Sequence, residues 1–230
     1  MKLIKLLKYF LVFTALTSLG QQKTRPIFRL KSRITSRLDS PQIHAMWEGM
    51  KNPLIITCND PKIKFTIHVK GGTILNVGIN NEFDLIPNQK DADVFVLSTK
   101  NDTLYTTTFI CRKMISPTFQ LLLNKKVIGD NSKIYKKTIS LLSINILADN
   151  ILKNDLIEFP IYKIDKVEMN LNRGNRTILS VNSFSNLDAI KMNARSGDMV
   201  TIVILSYSYK DGLNHCITTN TSRVFQLKVM

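Results

Sequence analysis

Apolar and polar positions alternate singly along much of this chain, which is the period of a strand with one face in water. Ile63, Phe65, Ile67 and Val69 alternate with Lys62, Lys64, Thr66, His68 and Lys70, and Gly71-Gly72 follows as a turn. Short apolar runs recur at 74–77, 83–86, 94–97 and 104–111, with Asn80-Asn81, Asn88 and Lys100-Asn101-Asp102 between them. Several short strands at close spacing, joined by polar turns, predict a sandwich and not parallel βαβ units. Pro117 closes this block.

A second block repeats the texture. Leu142, Ile144 and Ile146 alternate with Ser143 and Asn145, and 159–169 reads as a long strand with Ile161, Ile164, Val167 and Met169 apolar. A turn at 172–175 joins it to a strand at 177–181. The stretch 186–195 has the composition of a short helix, with Asn186 as its cap and Leu187, Ile190 and Met192 on its apolar side. Gly197-Asp198 ends it, a strand spans 199–209, Asp211-Gly212 signals a turn, and Val224 to Val229 alternate in a closing strand. The expected fold class is all-β, with two β-sandwich domains in tandem and one short helix in the second. The expected boundaries are 54–117 and 140–230, with a basic arm at 21–53 and a basic connector at 118–139. A short helix is an option within 40–50, with Pro41 at its first position.

The N-terminus has the layout of a secretory signal. Lys2, Lys5 and Lys8 precede an apolar run at 10–19, and Ser18 and Gly20 place small residues before a cut at Gln21. The run is shorter than the roughly 20 residues that span a membrane. The alternative is an uncleaved anchor over 3–19 with its lysines snorkelling.

Charge is unevenly placed. The chain is formally +15, yet residues 53–120 hold seven Lys/Arg against six acids and 140–230 hold ten against eight. The excess lies at 21–52, with seven against two, and at 121–139, with five against one. A nucleic-acid reader would set its basic residues on a folded face among aromatics, so no nucleic-acid partner is expected. Basic linkers of this kind are solvated tethers or make weak contact with acidic lipid, lipopolysaccharide or protein.

No catalytic constellation stands out. His44, His68 and His215 have no ligand spacing, and adjacent His215-Cys216 would point to opposite faces of a strand. Zinc CxxC pairs, a phosphate loop and a GxSxG elbow are all missing from the sequence. Asp91 and Asp93 cannot complete a calcium shell. No catalytic residue, cofactor or metal is expected. Cys58 and Cys111 are either a disulfide pair or small buried hydrophobes, and Cys216 is the third thiol.

The order of motifs resembles a known family. The first block runs Asn59-Asp60-Pro61-Lys62-Ile63, then Glu82-Phe83-Asp84-Leu85-Ile86-Pro87, then Phe109 to Pro117. It resembles the penultimate immunoglobulin-like domain of GldM, the gliding-motility and type IX secretion family of Bacteroidetes. The second block is similar to the last GldM domain in its long strand, its Ser185-Asn186 and helix, its Arg195 to Val200 segment and its Asp211-Gly212 turn. Closing strand Val224-Phe225-Gln226-Leu227 completes the match, which covers about 54–229. The long helical periplasmic part of the family has no counterpart in the roughly thirty residues between the signal-like segment and the first block.

The resemblance implies immunoglobulin-like domains, a periplasmic setting, dimers, contacts with envelope proteins of a secretion or gliding apparatus, and no catalytic residues. Tyr207, Tyr209 and Leu213, around the Asp211-Gly212 turn, are the candidate partner contacts, since loops carry binding on rigid sandwiches. The competing function is a secreted or surface-exposed binding protein, an adhesin or carbohydrate binder, using the same sandwich pair.

Overall fold

The computed structural model describes residues 25–32, 45–76 and 81–230. The signal-like segment and the cut between Gly20 and Gln21 lie outside the described residues. In chain order the first sandwich holds β1 (Phe28–Ser32), β2 (Ala45–Trp47), β3 (Asn52–Cys58), β4 (Phe65–Lys70), β5 (Gly72–Asn76), β6 (Glu82–Pro87), β7 (Asp91–Ser98) and β8 (Thr103–Arg112). They form two four-stranded sheets, ordered β1-β3-β6-β5 and β2-β8-β7-β4. Alternation decides which side chains meet. On β4, Phe65, Ile67 and Val69 turn inward while Thr66, His68 and Lys70 stay wet. Leu54, Ile56, Phe83 and Leu85 of one sheet pack on Val94, Val96, Phe109 and Cys111 of the other in one buried core.

The second sandwich begins before residue 140. It holds β9 (Thr118–Leu123), β10 (Lys126–Ile128), β11 (Ser132–Ile134), a 3-10 turn (Lys136–Leu141), β12 (Leu142–Leu147), helix α1 (Asn150–Asp155), β13 (Lys163–Arg173), β14 (Arg176–Val181), helix α2 (Leu187–Asn193), β15 (Met199–Lys210) and β16 (Cys216–Val229). A three-stranded sheet, β10-β9-β12, faces a five-stranded sheet, β11-β16-β15-β13-β14. Leu121 and Leu142 meet Met169, Leu171, Ile202 and Leu227 between the sheets, and Leu187 and Ile190 of α2 join the same core. The all-β expectation holds, as two immunoglobulin-like sandwiches in tandem. The second carries two α-helices where the sequence suggested one.

Residues 118–139, expected as a basic connector, are folded into the second sandwich. Phe119, Leu121 and Leu123 alternate on β9, whose six residues pair antiparallel with β12. Asn124 and Lys125 both take left-handed φ, 48° and 64°, as the two-residue turn between β9 and β10 requires. The lysines that made this stretch look like a tether are exposed. The arm at 21–53 is likewise built in where it is described. β1 pairs with β3 over five residues, and Trp47 is buried at the end of β2, which runs parallel to β8. Residues 45–47 are therefore strand and not helix. Asn186 sits at the start of α2 but makes no side-chain cap bond.

Candidate interaction site at the domain junction

Between the sandwiches lies a third, smaller core. Trp47 and Met50 from the first sandwich pack on Leu152 and Leu156 of α1 and the residue after it, with Met114, Ile115 and Tyr209 around them. The Glu48-Gly49-Met50-Lys51 turn projects because Asn52 holds it from behind. Its side chain accepts from Trp47 N at 2.9 Å and donates to Trp47 O, Met50 O and Leu85 O at 2.8–3.2 Å. Gly49 takes a left-handed φ of 72°.

Polar contacts then lock the turn to the second sandwich. The Trp47 indole N–H donates to Asp155 Oδ2 at 3.0 Å, and Lys51 Nζ pairs with Glu158 at 2.8 Å. Gly212 N–H donates to Gly49 O at 2.7 Å. A Cβ on Gly212 would stand 2.9 Å from Lys51 N and 3.1 Å from Met50 C, so only glycine allows this approach. The β15–β16 turn is held by Asp211, which accepts from Leu213 N and His215 N at 2.8 Å each. Its second oxygen lies 3.2 Å from His215 Nδ1.

A groove of about 710 Å³ opens beside this junction, walled by Met50, Lys51, Ile157, Phe159, Ile161 and Tyr209 among others. Ile157, Phe159 and Ile161 are 62%, 46% and 85% exposed. They precede β13 in a stretch that bends at Ile157 and Glu158 and pairs with no strand among the described residues, so the predicted strand at 159–169 begins four residues later. Tyr209 and Asp211 also line a shallower hollow of about 330 Å³, with Glu48, Lys113, Met114 and Ile217.

The three sequence-predicted contact residues part company. Tyr207 is 4% exposed, wedged edge-on between Phe119 and Tyr162 at 5.6 and 5.8 Å. It is not a surface residue. A bulge between Ile204 and Ser206 shifts the alternation of β15 and turns Tyr207 inward. Tyr209 is half-buried, 5.6 Å from Tyr162. Burial pushes its hydroxyl pKa up, with Tyr207, Asp211 and Glu48 adding to the shift. Leu213 is exposed on the turn beside the groove but does not line it. The residues missed by sequence reasoning are Ile157, Phe159 and Ile161. Their signal was three apolar residues at alternate positions ahead of a strand, which reads equally well as strand interior.

Cys58 and Cys111 are free thiols in the first sandwich, and burial pushes the Cys111 thiol up to about 11. Cys216, exposed, lines the groove. Among the described residues no group of His, Cys, Asp and Glu is arranged to hold a metal.

No protein-family model matches the chain, and no curated protein matches it. Among solved structures, human protocadherin-24 EC1-2 is similar at 10% identity, covering 89% of this chain and 98% of that one, with a TM-score of 0.26. The fibronectin(III)-like modules of Clostridium thermocellum CbhA are similar at 12% identity, covering 88% and 94%, with a TM-score of 0.24. Likeness this loose says nothing about function, and the sandwich assignment stands on the sheet pairings and cores described above.

Proposed function

We propose that this chain is a non-catalytic interaction protein of the cell envelope whose junction groove takes an extended, apolar segment of a partner protein. The observation behind this reading is the row Ile157, Phe159 and Ile161, left exposed along an apolar groove on a locked junction. The charges on its rim favour an acidic partner. Lys51 is matched by Glu158, and Asp211 by His215 and two backbone N–H groups. Lys163 and Lys210 also line the groove, and neither has an acidic partner among the described residues. The gliding-motility or type IX secretion setting is the finer part of the proposal, supported by the order of motifs across the two blocks.

The test is crosslinking and co-purification of the full chain from envelope fractions. A partner recovered with the wild type should be reduced roughly tenfold or more by Phe159→Asp with Ile161→Asp, because truncating or charging an anchor residue removes most of a groove's binding energy. Stability should stay within about 0.5 kcal/mol, as for other surface changes. Equal recovery with the double variant would rule out the groove. Finding the native protein in culture medium or on the cell surface, and not in the periplasm, would favour the adhesin or carbohydrate-binder reading.

A further inference from the structure

The β9–β10 turn, the 3-10 turn and the end of α2 gather at the pole of the second sandwich away from the junction. β15 runs from that pole at Met199 to the groove at Lys210, and its twelve residues span about 35 Å at the usual rise per strand residue. Asn124 N–H donates to Leu141 O at 3.1 Å, which ties the first turn to the second. Lys136 Nζ donates to Met192 O at 3.0 Å, which ties the second to α2. Lys125, Lys126, Lys136 and Lys137 are all exposed there. Interspersed among them, Tyr135, Leu141 and Met192 are 58%, 47% and 71% exposed.

Two further features distinguish this pole from an ordinary solvated surface. Lys133 and Lys228 stand directly opposite each other on neighbouring strands β11 and β16, a like-charge placement that weakens a sheet. The nearby acids are already engaged. Arg173 takes both oxygens of buried Asp198 at 2.8 and 2.9 Å, holding its carboxyl below the usual carboxylate range. Asp130 pairs with Arg223 at 3.1 Å, and Asp188 lies 3.9 Å from Lys191. Positive charge interleaved with large exposed apolar side chains is the chemistry of an anionic membrane interface, where lysines meet headgroups and apolar side chains enter the layer beneath. A soluble acidic protein would neutralise the lysines but leave Met192 and Leu141 without a reason to protrude.

We propose that this pole docks on the surface of a bilayer containing anionic lipid, with the groove about 35 Å above it along β15. The experiment is co-sedimentation of the full chain with phosphatidylcholine vesicles, with and without phosphatidylglycerol. Binding is expected only with the anionic lipid, and it should fall with added salt because exposed charges are screened beyond about 8 Å at physiological ionic strength. The variant with Lys125→Gln, Lys126→Gln, Lys136→Gln and Lys137→Gln should bind roughly 100-fold more weakly or worse, each lysine near the surface contributing separately. Leu141→Ser with Met192→Ser should cost about tenfold at unchanged charge.

Wild-type protein that ignores anionic vesicles, binds neutral ones equally, or binds as well in high salt would overturn the proposal, and the salt series needs no variant to fold. Unchanged vesicle binding by either variant would also overturn it, and undiminished binding by the serine pair would point to an anionic polymer. The Phe159→Asp, Ile161→Asp protein should bind vesicles like wild type, so failure here is distinguishable from failure of the groove.

Discussion

The junction and the far pole of the second sandwich are both made of bulky apolar side chains and lysines, arranged in opposite ways. At the junction, Trp47, Met50, Leu152 and Leu156 are each at most 4% exposed. The polar groups beside them are matched, the Trp47 indole N–H with Asp155 and Lys51 with Glu158. At the pole, Tyr135, Leu141 and Met192 protrude among four exposed lysines. A surface that has found its partner inside the molecule hides its apolar area and pairs its charges, because unpaired buried groups are costly. One that has not leaves both in water. The groove lies between these cases, with its back wall built into the junction and its outer rim, Ile157 to Ile161, open.

The sharpest way to break the contrast is Trp47→Ala. Deleting a buried tryptophan, and with it the hydrogen bond to Asp155, should cost about 3–5 kcal/mol, read as a shift in urea unfolding, whereas Met192→Ala at the pole should stay within about 0.5 kcal/mol. Equal effects at the two sites would mean that the junction is no more a core than the pole is. Next in size is Gly212→Ala. Its new Cβ would crowd Lys51 N and Met50 C, so a loss of about 1–3 kcal/mol is expected from overpacking, together with faster proteolysis between the sandwiches. Undiminished stability would show that the turn can withdraw from Gly49 freely.

Smallest is Tyr162→Phe, at about 1 kcal/mol for its hydrogen bond to Ile115 O. This variant also sharpens the pH behaviour of the junction. Burial pushes the Tyr162 hydroxyl pKa up, with Tyr207 and Tyr209 adding to it. A folded pKa above the unfolded value means that stability is fully present below about pH 10 and is lost as pH rises through the folded value. Alkaline unfolding of the wild type should therefore be steeper than that of Tyr162→Phe. Parallel curves would place Tyr162 in water.

Much of the fold was legible along the chain because strands announce themselves locally. The β4 alternation, the Asp211-Gly212 turn and the short helix ending before Gly197-Asp198 all appear where the pattern put them. Residues 118–139 were misread because five lysines outweighed a three-residue alternation at Phe119, Leu121 and Leu123. Charge reports which side of a strand is wet and does not show that the strand is missing. Tyr207 was misplaced for another reason. Its nearness to the Asp211-Gly212 turn made it a loop candidate, whereas the bulge between Ile204 and Ser206 turns it against Phe119 and Tyr162.

What the sequence by itself determined is most of the strands within 63–112 and 142–229, most of the turns between them and the absence of familiar catalytic motifs. Each follows from residues a few positions apart, through strand pleat, turn dihedrals and motif spacing. What only the tertiary structure decided is which faces meet. Trp47 and Asp155 are 108 residues apart, and β11 joins β16 from the far side of the second domain. Packing across such separations depends on the depth, direction and bulges of every intervening strand, none of which periodicity records. The junction core, the groove beside it and the lysine-rich pole exist because distant segments happen to fit. They became visible only once the sheets were assembled.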